Sequence, residues 1–243
     1  MSAADKEKLI IRFFNVGDGD SALLERLGEK PFRLLVDAGS SLPEALHGGC
    51  VCAEYLRALG VSRLDAVIIT HLHLDHMGGL KEIAETIPIR RVISGYFPPD
   101  GAGTIPQEPQ AEKTVRGLIN CLNVWKEITD LLQRQGCALE EIRESGPLTG
   151  LGPGLKMACV SPDPPGMERQ KRAWDSMFRG EMIPDAEKPP YPGCAIRRPS
   201  FSAPNTPGAS WRWGRTASGR FGKGGTMLPA IYSRYLTMAT GRP

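Results

Sequence analysis

Residues 70–80 read T-H-L-H-L-D-H-M-G-G-L and hold three of the four histidines of this 243-residue chain, with an aspartate among them. In extended backbone alternate side chains share a side, so His71, His73 and Asp75 can converge on one point. If a helix starts just after Asp75, His76 swings off that line by roughly 100° toward a neighbouring point. One short loop then offers donors to two metal ions. Imidazole and carboxylate suit zinc and its neighbours, and a catalytic zinc keeps one position open for water. The bland alternative, a polar loop with chance histidines, leaves the context unexplained. Residues 64–69 read as a buried strand running into the motif, and Gly78-Gly79 opens an apolar-periodic stretch.

The elements that must position this loop follow from periodicity. Residues 9–16 and 21–26 are two β-rich runs separated by Gly17-Asp18-Gly19-Asp20, which reads as a hairpin turn; the calcium-loop alternative lacks its remaining ligands and final glutamate. Residues 31–37 form a third strand. It ends on Asp37, followed by Ala38-Gly39-Ser40, and strand ends are where α/β proteins place their sites. A helix is expected over 50–59 with Gly60 beyond its end, then the strand at 64–69, the metal loop, a helix over 77–86 and a strand at 91–94. The fourth histidine, His47, lies in a glycine-flanked loop and reads as solvated. After a Pro/Gly-rich connection at 96–109, Val115, Leu118, Ile119, Leu122, Trp125, Ile128 and Leu132 mark a long amphipathic helix over 111–135, whose stripe is core. Strands are expected at 139–142 and 155–161, with turns at 146–154 between them. After Pro162 the periodicity decays.

Composition bounds the class. With 41% hydrophobic residues and no run of 18 apolar positions, the chain reads as a soluble, cytoplasmic α/β protein without a signal peptide or membrane contact. Its six cysteines read as free thiols, and Cys50-x-Cys52 as packing. The net charge of +3 hides a division: all 27 acidic residues lie at or before Glu187, which leaves residues 1–187 at −6 and residues 188–243 at +9. Residues 162–207 hold ten of the 21 prolines. The expected organisation is a domain over 1–165 and an irregular, poorly ordered basic tail over 166–243. Its interleaved Arg and Trp could pair with phosphates and stack on bases, although a basic tail is more often only solvated.

The motif at His71, His73, Asp75 and His76 resembles the H-x-H-x-D-H signature of the metallo-β-lactamase superfamily. F-N-V-G-D-G-D-S-A-L-L-E at 14–25, L-L-V-D-A-G-S at 34–40 and L-D-A-V-I-I-T-H at 64–71 are similar to the branch that includes the hydrolase domain of DNA-uptake competence proteins, which usually has Gln where this chain has Asp18. Over residues 9–161 the resemblance implies an αββα sandwich. It implies that His71 and His73 bind a first metal and that Asp75 and His76 bind a second, with Asp37 orienting the loop from behind. It further implies zinc, with manganese or iron as alternatives. A metal-bound hydroxide would attack a phosphodiester or acyl centre, with a small-molecule or nucleic-acid phosphodiester as the expected substrate, and Asp75, when not fully engaged by metal, could also handle the proton.

The sequence also departs from that pattern. The superfamily completes its site with later histidines and a bridging aspartate, yet no histidine follows His76. Asp163, Asp175 and Asp185 are the remaining oxygen donors considered, none at a strand end. Two expectations therefore stand: a metal-dependent hydrolase, or a fragment with only the first half of the sandwich complete. The fragment, truncated or frame-shifted after Glu187, would bind metal or nucleic acid without turnover. An uncovered sheet edge would then favour self-association, and oligomeric state is left open.

Overall fold

Period-two alternation builds the sheet. In β2 (Ala22–Leu27), Leu23 packs on one face and Leu24 on the other; in β3 (Phe32–Val36), Leu35 and Leu34 divide in the same way. The apolar run of β4 (Ala66–Ile69) is buried at all four positions, as expected of a central strand covered on both sides. The computed structural model describes residues 8–107, 109–151, 157–159, 164–181, 214–216 and 233–235.

With β1 (Lys8–Phe13), β5 (Arg91–Ser94), β6 (Ala138–Glu141), β9 (Gly214–Thr216) and β10 (Ser233–Tyr235), these strands form one mixed sheet in the order β6-β5-β4-β3-β2-β1-β10-β9. β3 to β6 run parallel, while β1 pairs antiparallel with both β2 and β10. One face carries α1 (Cys52–Ala58), α3 (Leu80–Thr86) and α4 (Lys113–Arg134), whose Leu56, Ile83, Leu122 and Trp125 bury against Leu23, Leu35, Val67 and Val92. The other face meets a two-stranded sheet of β7 (Gly146–Leu148) and β8 (Met157–Cys159), where Leu24, Leu34, Ile68 and Ile93 pack with Leu151 and Cys159. This is the mixed α/β architecture expected of the metallo-β-lactamase-like fold. Among the described residues no helix is long and apolar enough to cross a membrane.

Four local readings are corrected. The helix expected at 77–86 is two: α2 (Leu74–Met77) starts directly after His73, and Gly78-Gly79 separates it from α3. Asp75 therefore lies in the first helical turn, off the extended line of His71 and His73. A strand, β7, occupies part of the expected turn region at 146–154, because Gly146 to Leu148 pair with β8. The tail expected to be irregular from 166 carries α5 (Pro164–Arg179), which buries Ala173 and Trp174. Its amphipathic periodicity matches that of α4, but its low overall hydrophobicity and the prolines at its start hide the stripe, and docking reveals it. Two short strands, β9 and β10, also occur in a region without a sequence period; β10 registers Arg234 opposite Ile11 and covers the β1 edge. The remaining tail positions lie outside the described residues.

Candidate functional site

The site is built where parallel strands end. β3 stops at Val36, and Asp37 turns into the left-handed region at φ 56 while its N–H still donates to the Ile68 carbonyl at 2.8 Å. That turn points the carboxylate across to the end of β4. Its Oδ1 accepts from the Thr70 N–H at 2.8 Å, and its Oδ2 accepts from the Thr70 hydroxyl at 2.7 Å and lies 2.9 Å from His76 Nδ1. A buried carboxylate with three polar partners is satisfied, and a non-glycine residue at positive φ persists only where its surroundings hold it there.

These bonds fix the imidazoles. Because the Thr70 hydroxyl gives its proton to Asp37, it can only accept from His71 Nδ1, 3.1 Å away, which leaves His71 Nε2 with its lone pair. His76 Nδ1 donates to Asp37 in the same manner, so its Nε2 faces outward, 3.5 Å from Asp75 Oδ2. The His71 and His76 rings lie 3.9 Å apart and those of His71 and His73 4.8 Å apart. His71 is therefore closer to His76 than to the partner with which it was expected to share a metal. Burial, aided by the neighbouring His76 and His73, lowers His71 to a pKa of about 4 and keeps it neutral, the form that can bind metal. For His76, burial acts downward, but the hydrogen bond and charge of Asp37, with Asp75 and Asp20, outweigh it and raise the pKa above the ordinary value.

Glycines let neighbouring segments close on the loop. A Cβ on Gly19, itself at φ 84, would overlap the Asp75 carbonyl oxygen, and one on Gly79 would overlap that of Ala38. The Ala38 N–H donates to the His76 carbonyl at 2.7 Å and the Gly79 N–H to that of Gly39 at 2.9 Å.

The chemistry fits a metal in donor type: three imidazoles and a carboxylate, two of the rings held by partners on their far nitrogens. It is not a finished cage, since among the described residues no three His, Cys, Asp or Glu side chains form a ready ligand group. Asp175 is turned away to accept from the Tyr96 hydroxyl at 3.0 Å, while Asp163 and Asp185 lie outside the described residues. His47, read as solvated, is exposed but paired, with Nε2 3.1 Å from Asp18 Oδ1. Cys52 is packing, as expected: it is fully buried, 3.2 Å from the Ser21 hydroxyl, and burial pushes its thiol up to about 12. Sequence reading missed two participants: Thr70, and the 17–20 turn taken as a plain hairpin. The available signals were a hydroxyl directly before the first histidine and two glycines at alternate positions.

A family profile described as Metallo-beta-lactamase superfamily matches residues 15–160. Anti-Pycsar protein Apyc1 of Paenibacillus sp. (strain J14) is 33% identical over 136 residues, covering 56% of this chain and 49% of that protein. The protein of the same name from Bacillus phage 010DV004 is 41% identical over 75 residues, covering 30% of this chain and 23% of its own length. The chain thus spans about half of the first relative and about a quarter of the second. An archaeal metallo-beta-lactamase superfamily protein from Sulfolobus tokodaii overlays with a TM-score of 0.32 at 21% identity, covering 61% of this chain and 53% of that one. These relatives bear the anti-Pycsar name and not that of competence proteins, which corrects the expected branch.

Proposed function

The chain belongs to the metallo-β-lactamase superfamily, and on that premise we propose that it is a metal-dependent hydrolase of phosphodiester substrates. The observation that carries this reading is the Asp37 carboxylate, which ties Thr70 and His76 together behind the donor loop. His71, His73, Asp75 and His76 would hold the metal, with zinc the ion favoured by imidazole-rich donors and manganese or iron as alternatives. When bound, the metal supplies Lewis acidity toward a phosphoryl oxygen and toward water. Asp37 keeps the His76 ring in one tautomer, and Thr70 does the same for His71. Asp75, whose side chain is 39% exposed, would take or return a proton when not fully engaged by the metal.

The name of the relatives makes action against a Pycsar system the setting we propose, with a small-molecule phosphodiester as the substrate class and a cytoplasmic location. A second reading, a catalytically impaired relative, is favoured by the absence of any histidine after His76. Zinc content and turnover of bis(4-nitrophenyl) phosphate separate the two. Wild-type protein should retain at least about one zinc per chain after mild dialysis, and His71→Ala should lose both zinc and turnover. Zinc retention without turnover in wild type selects the impaired reading. Absence of both removes the hydrolase reading.

A further inference from the structure

Resting on the metal-site reading above, we propose that the turn at Gly17-Asp18-Gly19, locked by the Asp18–His47 pair, is a brace that sets the position of Asp75. Three observations converge on it. Gly19 stands directly against the Asp75 carbonyl, with no room for a side chain between them. The back of the turn is closed in the same way, since a Cβ on Gly17 would overlap the Ala45 carbonyl and one on Gly49 that of Asn15. Backbone bonds rivet these layers, the Asp18 N–H donating to Ala45 O at 2.7 Å and the Cys50 N–H to Asn15 O at 3.1 Å. The order of contact is therefore the 45–50 segment, then the 15–19 turn, then Asp75.

Backbone conformation supplies the reason to read this as a device. Among the described residues only Asp37 and His47 are non-glycine residues at positive φ, 56 and 45. Asp37 holds the donor loop from the strand side. His47 occupies the corresponding strained position in the outer layer, and its Nε2 meets Asp18 at 3.1 Å. Strain of this kind persists where surrounding contacts over-determine it, and it gathers at functional sites. Gly19 and the Asp18–His47 pair are positioning residues: they act on the metal through Asp75 and touch no substrate.

Two readouts test the proposal, zinc affinity by competition with a chromophoric chelator and the Asp75 and His76 amide signals of the metal-free protein by NMR. Gly19→Ala should weaken zinc about 10- to 100-fold, the range for losing a group that orients a ligand, and should shift both amide signals. His47→Asn, which tolerates the left-handed backbone, and Asp18→Asn should each weaken zinc up to about fivefold, as befits an exposed pair. The double variant should add little beyond either alone. Gly103→Ala, whose Cβ would enter open space, should match wild type in both readouts. The exposed pair keeps the test decisive if Gly19→Ala does not fold. Wild-type amide signals and zinc affinity in His47→Asn and Asp18→Asn would overturn the brace. Failure of wild type to bind zinc, manganese or iron, with the amide shifts still present in the variants, overturns the metal reading and leaves the brace standing.

Discussion

Asp37 is the residue on which the donor loop turns. Its buried carboxylate serves Thr70 and His76 at once, and its backbone occupies a region that alanine adopts poorly. Asp37→Ala should therefore destabilise the protein by about 3 to 5 kcal/mol, combining unpaired buried partners with left-handed strain. Asp37→Asn tolerates the backbone but places an amide where three donors converge. It should lose less stability while weakening zinc about 10- to 100-fold. Urea unfolding and chelator competition measure the two effects, and an Asp37→Ala protein as stable as wild type would remove Asp37 from this role. The aspartate at a strand end was legible in the sequence. Its tie to His76 was not, because that bond spans 39 positions and depends on how β3 and β4 register.

At the scale of elements, α4 and α5 make opposite cases. The stripe of α4 recurs at three- and four-residue steps through Ile119, Leu122, Trp125, Ile128 and Leu132, all buried, so pattern alone located the helix. In α5 the anchor centres on Trp174, 5% exposed, which meets the Tyr96 ring edge-on at 4.9 Å, with Ala173 buried beside it and Met177 and Phe178 packed against the same core. Around it Tyr96 donates to Asp175, Lys171 lies 5.2 Å above the Tyr96 ring, and Trp125 Nε1 donates to the Tyr96 carbonyl at 2.9 Å. Burial, reinforced by Asp175, raises the Tyr96 hydroxyl above its ordinary pKa, so it remains a donor at neutral pH. Trp174→Ala should cost about 3 kcal/mol or more through the cavity it leaves. Tyr96→Phe should cost about 1 kcal/mol. Chemical denaturation reads both, and a change within about 0.5 kcal/mol for Trp174→Ala would show that α5 is not docked.

Across the whole molecule, charge and fold are divided differently. The −6 stretch of residues 1–187 contains the central elements and the candidate site, while residues 188–243 carry +9 and supply two short strands at the β1 edge. We propose that this basic stretch also contacts nucleic acid. If so, the full chain should bind single-stranded DNA with an affinity that falls steeply as salt rises, and replacing Arg197, Arg198, Arg212 and Arg215 with Gln should flatten that dependence. A salt slope unchanged by the four substitutions would make the stretch simply a solvated cationic segment.

The sequence by itself determined the donor types, the strands that deliver them and the α/β class, because period-two and period-3.6 burial and metal-ligand chemistry are properties of local order. It placed His71, His73, Asp75 and His76 in one loop. Only the tertiary structure decided how they are arranged: helix α2 starts at Leu74 and carries Asp75 off the extended line, His76 turns toward His71, and Asp37, Thr70 and the Gly19 turn close around them. The Asp37 ties and the Gly19 approach rest on contacts between residues far apart in the chain, and no local pattern of apolar and polar positions encodes them.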